Sequence, residues 1–397
     1  MCQDIVVSPR NRVNTALDHK LPDRTPVDFL AVPEIWESLL NLYNIPPAKL
    51  TPSSMFDPSW EQLLQKLEID CRVISYDQFC SPPPSALHPK GLIDWFSSPG
   101  RSTPNRMWRQ ITPDNLLCDI WGRQFKLANH PYGTYEELSK YPLEAATTLT
   151  DVKDHPWPEP DWWDFSLVSN LLDQMDKNDT YHIRYRIGSV FEVAWQLAGM
   201  EKFFIDLIID PKLPNYIMER LTDIYVELTE QFLAAGRGRI DMVYFYDDLA
   251  SQESLLISKD MWKKNIRPHH ARLIEVAKSH DLKVMYHCDG AIHPLIPDLI
   301  DLGVDVLNPI QLDAKGMDPL KLKDQFGNRL CFHGGIDIIE TLPRGSVSDV
   351  QREAKTRIRE LGKDGGYVMA GTHHVQADTP LENIQALYDL DLRKTSE

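Results

Sequence analysis

His287 and Asp289 stand two residues apart in the stretch Met285-Tyr286-His287-Cys288-Asp289-Gly290. On extended backbone, side chains at that spacing point to the same side. An imidazole and a carboxylate can then face one ion or one substrate atom. A second imidazole from a neighbouring strand end, His373 or His374, would complete a His/Asp/His set suited to zinc, iron or manganese. The pair also reads as two caps, His287 closing a strand and Asp289 opening the next helix. Cys288 has the opposite parity and is expected to point away as a packed small residue.

Other titratable groups fall at comparable places. Asp247-Asp248 follows the run Ile240–Tyr246, and His333-Gly334-Gly335 follows Arg329–Phe332. Asp247, Asp248 and His333 are the catalytic candidates, although an Asp at such a turn commonly satisfies loop amides or a helix N-terminus. Arg184 and Arg186 share one face of Tyr181–Ile187. Arg186 at a pocket would clamp a carboxylate or phosphate, with an internal salt bridge as the competing reading. Tyr246, Gln311 and His374 join it as substrate-binding candidates. His269-His270, just after Pro268, reads as solvent-exposed or structural.

These residues need elements to hold them. From about residue 180 onward, β-rich runs alternate with helical patterns. The strand candidates are Tyr181–Ile187, Ile240–Tyr246, Leu282–His287, Val304–Leu307, Arg329–His333 and Tyr367–Ala370. Between them Ile217, Leu221, Ile224, Leu228 and Phe232 recur at helical spacing before Gly236. Val350, Ala354, Ile358 and Leu361 do the same before Gly362. Strand-helix alternation over this length means a parallel sheet, doubly wound or closed. No GxGxxG or GxxxxGK[ST] phosphate turn occurs, so a (β/α)₈ barrel is preferred. Weaker strand candidates, Thr25–Leu30 and Asp70–Ile74, would supply its remainder. In such a barrel the strand C-termini carry the site, and four of the strand candidates lead into Asp247-Asp248, His287 to Asp289, His333 and His373-His374.

Residues 1–165 have a different texture. Ser81-Pro82-Pro83-Pro84-Ser85 and Pro156-Trp157-Pro158-Glu159-Pro160 forbid helix and favour extended loops. Trp108, Trp121, Trp157, Trp162 and Trp163 crowd this half and are expected to pin loops onto a core. The 397 residues read as one barrel domain, 1–165 giving the first strands and a loop-rich cover and 166–397 the regular repeats.

Composition narrows the partners. Against 42 Lys and Arg stand 58 Asp and Glu, a net charge of −16, which repels phosphate backbones and argues against nucleic acid. Met1-Cys2-Gln3-Asp4 opens without a basic-then-apolar leader, and no run is apolar and long enough for a membrane span. The six cysteines form no CxxC pair and read as reduced thiols of a cytoplasmic protein.

Several stretches in order along the chain resemble the uroporphyrinogen decarboxylase superfamily. They are Asn11-Arg12-Val13 through Leu17, Pro22-Asp23-Arg24-Thr25-Pro26-Val27, Asp247-Asp248-Leu249 with Gln252, and the His287-x-x-Gly290 turn. Gly303-Val304-Asp305-Val306-Leu307-Asn308-Pro309 with Gln311 follows, then Phe326-Gly327, Gly334-Gly335-Ile336-Asp337, Gly365-Gly366-Tyr367 and Pro380-Leu381-Glu382-Asn383. The resemblance implies a single (β/α)₈ barrel and one of two chemistries: cofactor-free decarboxylation of a tetrapyrrole, or zinc-dependent methyl transfer between a corrinoid protein and an acceptor.

The two branches differ at identifiable positions. True decarboxylases carry an arginine-rich RQAGRYLPE loop; the corresponding stretch here, Phe29-Leu30-Ala31-Val32-Pro33-Glu34-Ile35, has no arginine to hold carboxylate arms. The methyltransferases carry an HxC pair and a later Cys shortly before a TPLEN-like segment. Here His287-x-Asp289 stands at the first place, and counting back six from Thr379 lands on His373. Asp and His thus replace both thiolates. A His287/Asp289/His373 set leaves more positive charge on the ion and favours activating an oxygen over holding a thiolate.

The resemblance therefore implies a methyltransferase or demethylase of a small molecule, with zinc or another divalent transition metal on His287, Asp289 and His373. Any corrinoid would sit on a separate partner protein, since no DxHxxG signature occurs. A homodimer is compatible with the fold class. The alternative is a cofactor-free decarboxylase in which Asp247 or Asp248 stabilises a protonated ring and His373 is the acid. A third reading is a non-catalytic binding barrel.

Overall fold

The computed structural model describes residues 7–50, 54–83, 96–99, 106–130 and 133–389. The N-terminal Met1–Asp4 with Cys2, and Pro84-Ser85, lie outside them. Among the described residues twelve strands occur in chain order: β1 (Cys71–Ser75), β2 (Phe96–Pro99), β3 (Arg106–Ile111), β4 (Leu117–Cys118), β5 (Gln124–His130), β6 (Gly133–Lys140), β7 (His182–Arg186), β8 (Met242–Tyr246), β9 (Lys283–His287), β10 (Val306–Asn308), β11 (Cys331–Ile336) and β12 (Tyr367–Gly371).

Seven of them form one parallel sheet in the order β1-β7-β8-β9-β10-β11-β12. Each expected strand after residue 180 is present, its ends shifted by no more than three residues. Asp70–Ile74 became β1, but Thr25–Leu30 did not become a regular strand. Pro26 lies inside that segment and Pro33 just beyond it, and neither can donate to a ladder. It still bridges the two ends of the sheet. Asp28 N donates to Met369 O at 3.0 Å, Met369 N to Pro26 O at 2.9 Å, and Asp70 N to Val27 O at 3.0 Å. The curled sheet is thus joined from β12 back to β1 through an irregular seam.

Strand alternation sorts the side chains. Ile183, Tyr185, Val243, Phe245, Val284, Tyr286 and Phe332 face outward into the main core, which runs from Val27 to Tyr388. Helix Lys212–Gly236 covers part of it, Phe232 stacking on Tyr185 at 3.8 Å between ring centroids. The inward residues Cys71, Met242, Met285, Val306, Cys331 and Val368 form a second cluster, with Val13 and Leu17 of helix Pro9–Leu17 against it.

The N-terminal half departs from expectation. Residues 96–140 are not simply loop: β2 to β6 make a five-stranded antiparallel sheet outside the barrel. The tryptophans do pin loops. Trp121, Trp157 and Trp163 are buried, and the Trp157 and Trp163 indoles donate to Val152 O at 3.0 Å and Tyr76 O at 3.1 Å. Cys71, Cys80, Cys118, Cys288 and Cys331 are buried thiols. Among the described residues no helix is long and apolar enough to cross a membrane.

Candidate metal centre at the mouth of the barrel

β9 ends on His287, whose register neighbours are Tyr246 on β8 and Asn308 on β10. The strand stops there because Gly290 turns at a φ of +88°. A Cβ at that position would lie 2.5 Å from Ser251 O, so the turn requires glycine. Gln311 Oε1 accepts from Gly290 N at 2.7 Å and holds the turn. Gln311, a substrate-binding candidate, is therefore engaged with backbone.

His287, Asp289 and His373 come together: one donor atom from each lies within 4.8 Å of the others. His287 Nε2 is 4.0 Å from Asp289 Oδ1 and 4.0 Å from Asp248 Oδ1. Zinc bonds of about 2.0–2.2 Å would draw such atoms closer, which rotation of exposed His373 allows. His287 Nδ1 is 2.6 Å from Asn308 Oδ1, while Nε2 faces Asp248 and Asp289, so the ring is held by the Asn308 side-chain amide on one edge and turned to the cluster on the other. The donor set and its support fit a divalent transition metal.

Asp248 lies at the same rim. Its Oδ1 accepts from Asp289 N at 2.7 Å, and its own N–H donates to Glu192 Oε1 at 3.0 Å. Burial, opposed by His287 but reinforced by Asp289, raises the Asp248 pKa. Burial and the charges of Asp248 and Asp247 push the Glu192 carboxyl up to about 8. His373 is exposed at the rim yet walled by protein, and desolvation lowers its pKa against the pull of Asp289. For His374, desolvation and the nearby positive charges of His373, Arg186 and His287 lower it well below the ordinary value. Its Nδ1 lies 3.1 Å from His373 Nδ1.

Other residues singled out in the sequence stand elsewhere. Asp247, expected as catalytic, is fully buried and turned away. It caps helix Phe191–Ala198, accepting from Val190 N at 3.3 Å, Glu192 N at 2.9 Å, the Ser189 hydroxyl and His270 Nε2 at 2.7 Å. His269 and His270 are both buried, so the solvent-exposed option fails and the structural one holds. His333 is buried beneath the cluster, joined to it through Asn308. Cys288 points away, accepting from Leu249 N through its sulfur.

Arg186 and Tyr246 line the mouth on the other side. Arg186 donates to Ser75 Oγ at 3.2 Å and lies 3.4 Å from Asp77 Oδ2, so it is already ion-paired. Desolvation pushes Tyr246 up to about 12, keeping its hydroxyl neutral despite Arg186. Sequence reasoning missed Glu192, Asn308 and Asp28. Glu192 looks like any acidic residue in a first helical turn, and Asn308 entered only as part of a resemblance motif.

One solved structure shares this architecture over nearly its whole length. The chain matches "methyltransferase from Methanosarcina mazei" with a TM-score of 0.60 and 18% identity, covering 96% of this chain and 97% of that one. A D-psicose 3-epimerase from Clostridium cellulolyticum H10 aligns at 12% identity and TM-score 0.37 over 58% of this chain and 83% of that one. Xylanase 10B from Thermotoga maritima aligns at 11% identity and TM-score 0.34, over 54% and 69%. No curated protein matches the sequence. The uroporphyrinogen decarboxylase family profile matches residues 165–391, which contain the six strands β7 to β12 and the whole cluster around His287; the chain belongs to that family.

Proposed function

We propose that the protein is a metal-dependent methyltransferase or demethylase of a small molecule, with zinc or a similar divalent ion held by His287, Asp289 and His373. The observation that carries this reading is the convergence of two imidazoles and a carboxylate from two strand ends at the barrel mouth. When bound, the ion would supply Lewis-acid polarisation of a substrate oxygen. Asp248, half-exposed beside the ligands with its pKa raised, is the residue to hold or move a proton at that oxygen. Glu192, protonated at neutral pH, anchors the Asp248 backbone and backs that transfer. Tyr246 and Arg186 border the space where the rest of the substrate would lie, with Arg186 taking an anionic group.

The branch assignment rests on the ligand layout and on the seam. Phe29 packs edge-on against Trp36 and Tyr388, and Ala31, Val32 and Ile35 are buried. This apolar stretch offers no arginine to the octacarboxylate substrate of a true decarboxylase. A corrinoid protein is the partner that the branch resemblance suggests for carrying the methyl group.

Elemental analysis of protein purified without a metal-affinity tag is the test. About one equivalent of zinc or iron, lost in His287→Ala and in Asp289→Ala, supports the centre. No stoichiometric metal, or turnover that survives exhaustive chelation, would return the chain to cofactor-free decarboxylation.

A further inference from the structure

We propose that Asn308, His333 and Asp28 are positioning residues for His287, forming a buried hydrogen-bond chain that sets which ring nitrogen of His287 carries the proton. The inference deepens the metal-centre reading and rests on it for its consequence, but the chain itself is testable without metal.

The links are continuous. His287 Nδ1 lies 2.6 Å from Asn308 Oδ1, Asn308 Nδ2 lies 2.7 Å from His333 Nδ1, and His333 Nε2 lies 2.9 Å from Asp28 Oδ2. Asn308, His333 and Asp28 are all buried. Arg184, also buried, is ion-paired with the same Asp28 oxygen, and its Nη1 lies 3.1 Å from His333 Nε2. Asp28 is fixed from outside the chain as well. Its Oδ1 accepts from Phe29 N at 2.9 Å, and its carbonyl accepts from the Tyr388 hydroxyl at 2.8 Å.

Donor and acceptor counting allows two self-consistent arrangements. In the first, His333 Nε2–H donates to Asp28, its Nδ1 accepts from the Asn308 amide, and Asn308 Oδ1 accepts from His287 Nδ1–H. His287 Nε2 is then a lone pair facing Asp289 and His373, a ligand. In the second, Arg184 donates to His333 Nε2, every bond reverses, the Asn308 amide flips, and His287 presents an Nε2–H that cannot bind an ion. The carboxylate of Asp28 only accepts when ionised, and Arg184 keeps it ionised by direct pairing. A charge-assisted bond to Asp28 selects the first arrangement. The seam segment, three residues away from the ion, thus decides whether His287 can ligate.

Two-bond ¹H–¹⁵N spectra of metal-free protein with ¹⁵N-labelled histidine read the tautomers directly, His287 being assigned by its loss in His287→Gln. Wild type should show His287 as Nδ1–H. Asn308→Leu should release it to a mixed or Nε2–H state, and Asp28→Asn should shift part of the population the same way. Asn308→Asp, which still accepts from His287 and leaves His333 Nε2 to Arg184, should restore Nδ1–H. Zinc competition against a chromophoric chelator should find Asn308→Leu about 10- to 100-fold weaker and Asn308→Asp close to wild type.

An Nε2–H His287 in wild type overturns the proposal, and that measurement needs no variant to fold. Unchanged tautomer and zinc affinity in Asn308→Leu overturn it too. A wild type that takes up no zinc defeats the metal reading instead, while the tautomer spectra still decide the chain.

Discussion

The two ends of the barrel handle carboxylates in opposite ways. At the N-terminal end Asp70, just before β1, is fully buried and every lone pair direction is used. Its Oδ1 accepts from Arg12 at 2.7 Å and Arg24 at 3.0 Å, and its Oδ2 from Arg24 at 2.9 Å and Val27 N at 2.9 Å. Arg12 is gripped in turn by Asp23 at 2.7 Å. At the C-terminal end Asp248, Asp289 and Glu192 crowd together, and among the described residues no Lys or Arg is ion-paired with any of them. One end spends charge on closure and the other leaves it uncompensated, the division expected of a barrel whose chemistry lies at its strand C-termini. The Arg12, Asp23 and Arg24 residues that carried the family resemblance are thus clamp, not site.

Substitutions can break that contrast. Asp248→Asn should lower turnover by roughly 10²- to 10⁴-fold if Asp248 moves the proton, with no loss in urea midpoint. A coincident loss of stability would make it a structural residue like Asp70. Next in size, Asp70→Ala should cost about 3–5 kcal/mol in urea unfolding, because it strips Arg12 and Arg24 of a buried partner. Zinc affinity of the folded variant should be unchanged; a parallel drop would mean that the two ends are coupled.

The pH dependence sharpens the same point. Glu192 has an ordinary value of 4.5 and is raised to about 8, so the folded metal-free chain keeps a proton that the unfolded chain has released. Its contribution is complete below about pH 4.5 and is lost as pH rises through about 8. Glu192→Gln should flatten that part of the urea-midpoint profile; an unaltered profile would show that Glu192 is not the group concerned. Smallest is Arg186→Lys, whose half-buried pair with Asp77 is worth about 1 kcal/mol or less. An anionic substrate should show a several-fold higher KM at nearly constant kcat, and a neutral substrate no change.

How much of this was legible follows the same physics. β7 to β12 were readable because short β-rich runs, each closed by polar or glycine residues, alternate with helices of clear period. The pairing of His287 with Asp289 followed from parity at a strand end, which left His373 and His374 both open; the resemblance, counting back from Thr379, singled out His373. The β2–β6 sheet was hidden because β6, Gly133–Lys140, has no buried residue and so no period-two apolar face. The seam was half-visible, since Pro26 and Pro33 suppress the ladder while backbone bonds survive. Asp247 misled because a doubled Asp at a strand end gives no sign of which carboxylate turns toward His270. Asn308 and Asp28 carry no pattern of their own; their roles exist only once β10, β11 and the seam are side by side.

The seam has a consequence for biosynthesis. The bond from Asp28 to His333 spans 305 residues, and that from Arg184 to Asp28 spans 156. Such distant pairings are slow to form. A nascent chain shorter than about residue 333 has Asp28, Arg184 and, past residue 308, Asn308, but no His333 to link them, and His373 emerges later still. In the proposed metal centre, loading would therefore belong to a late step of folding. Split chains cut between β10 and β11 should regain zinc only when the two fragments are mixed.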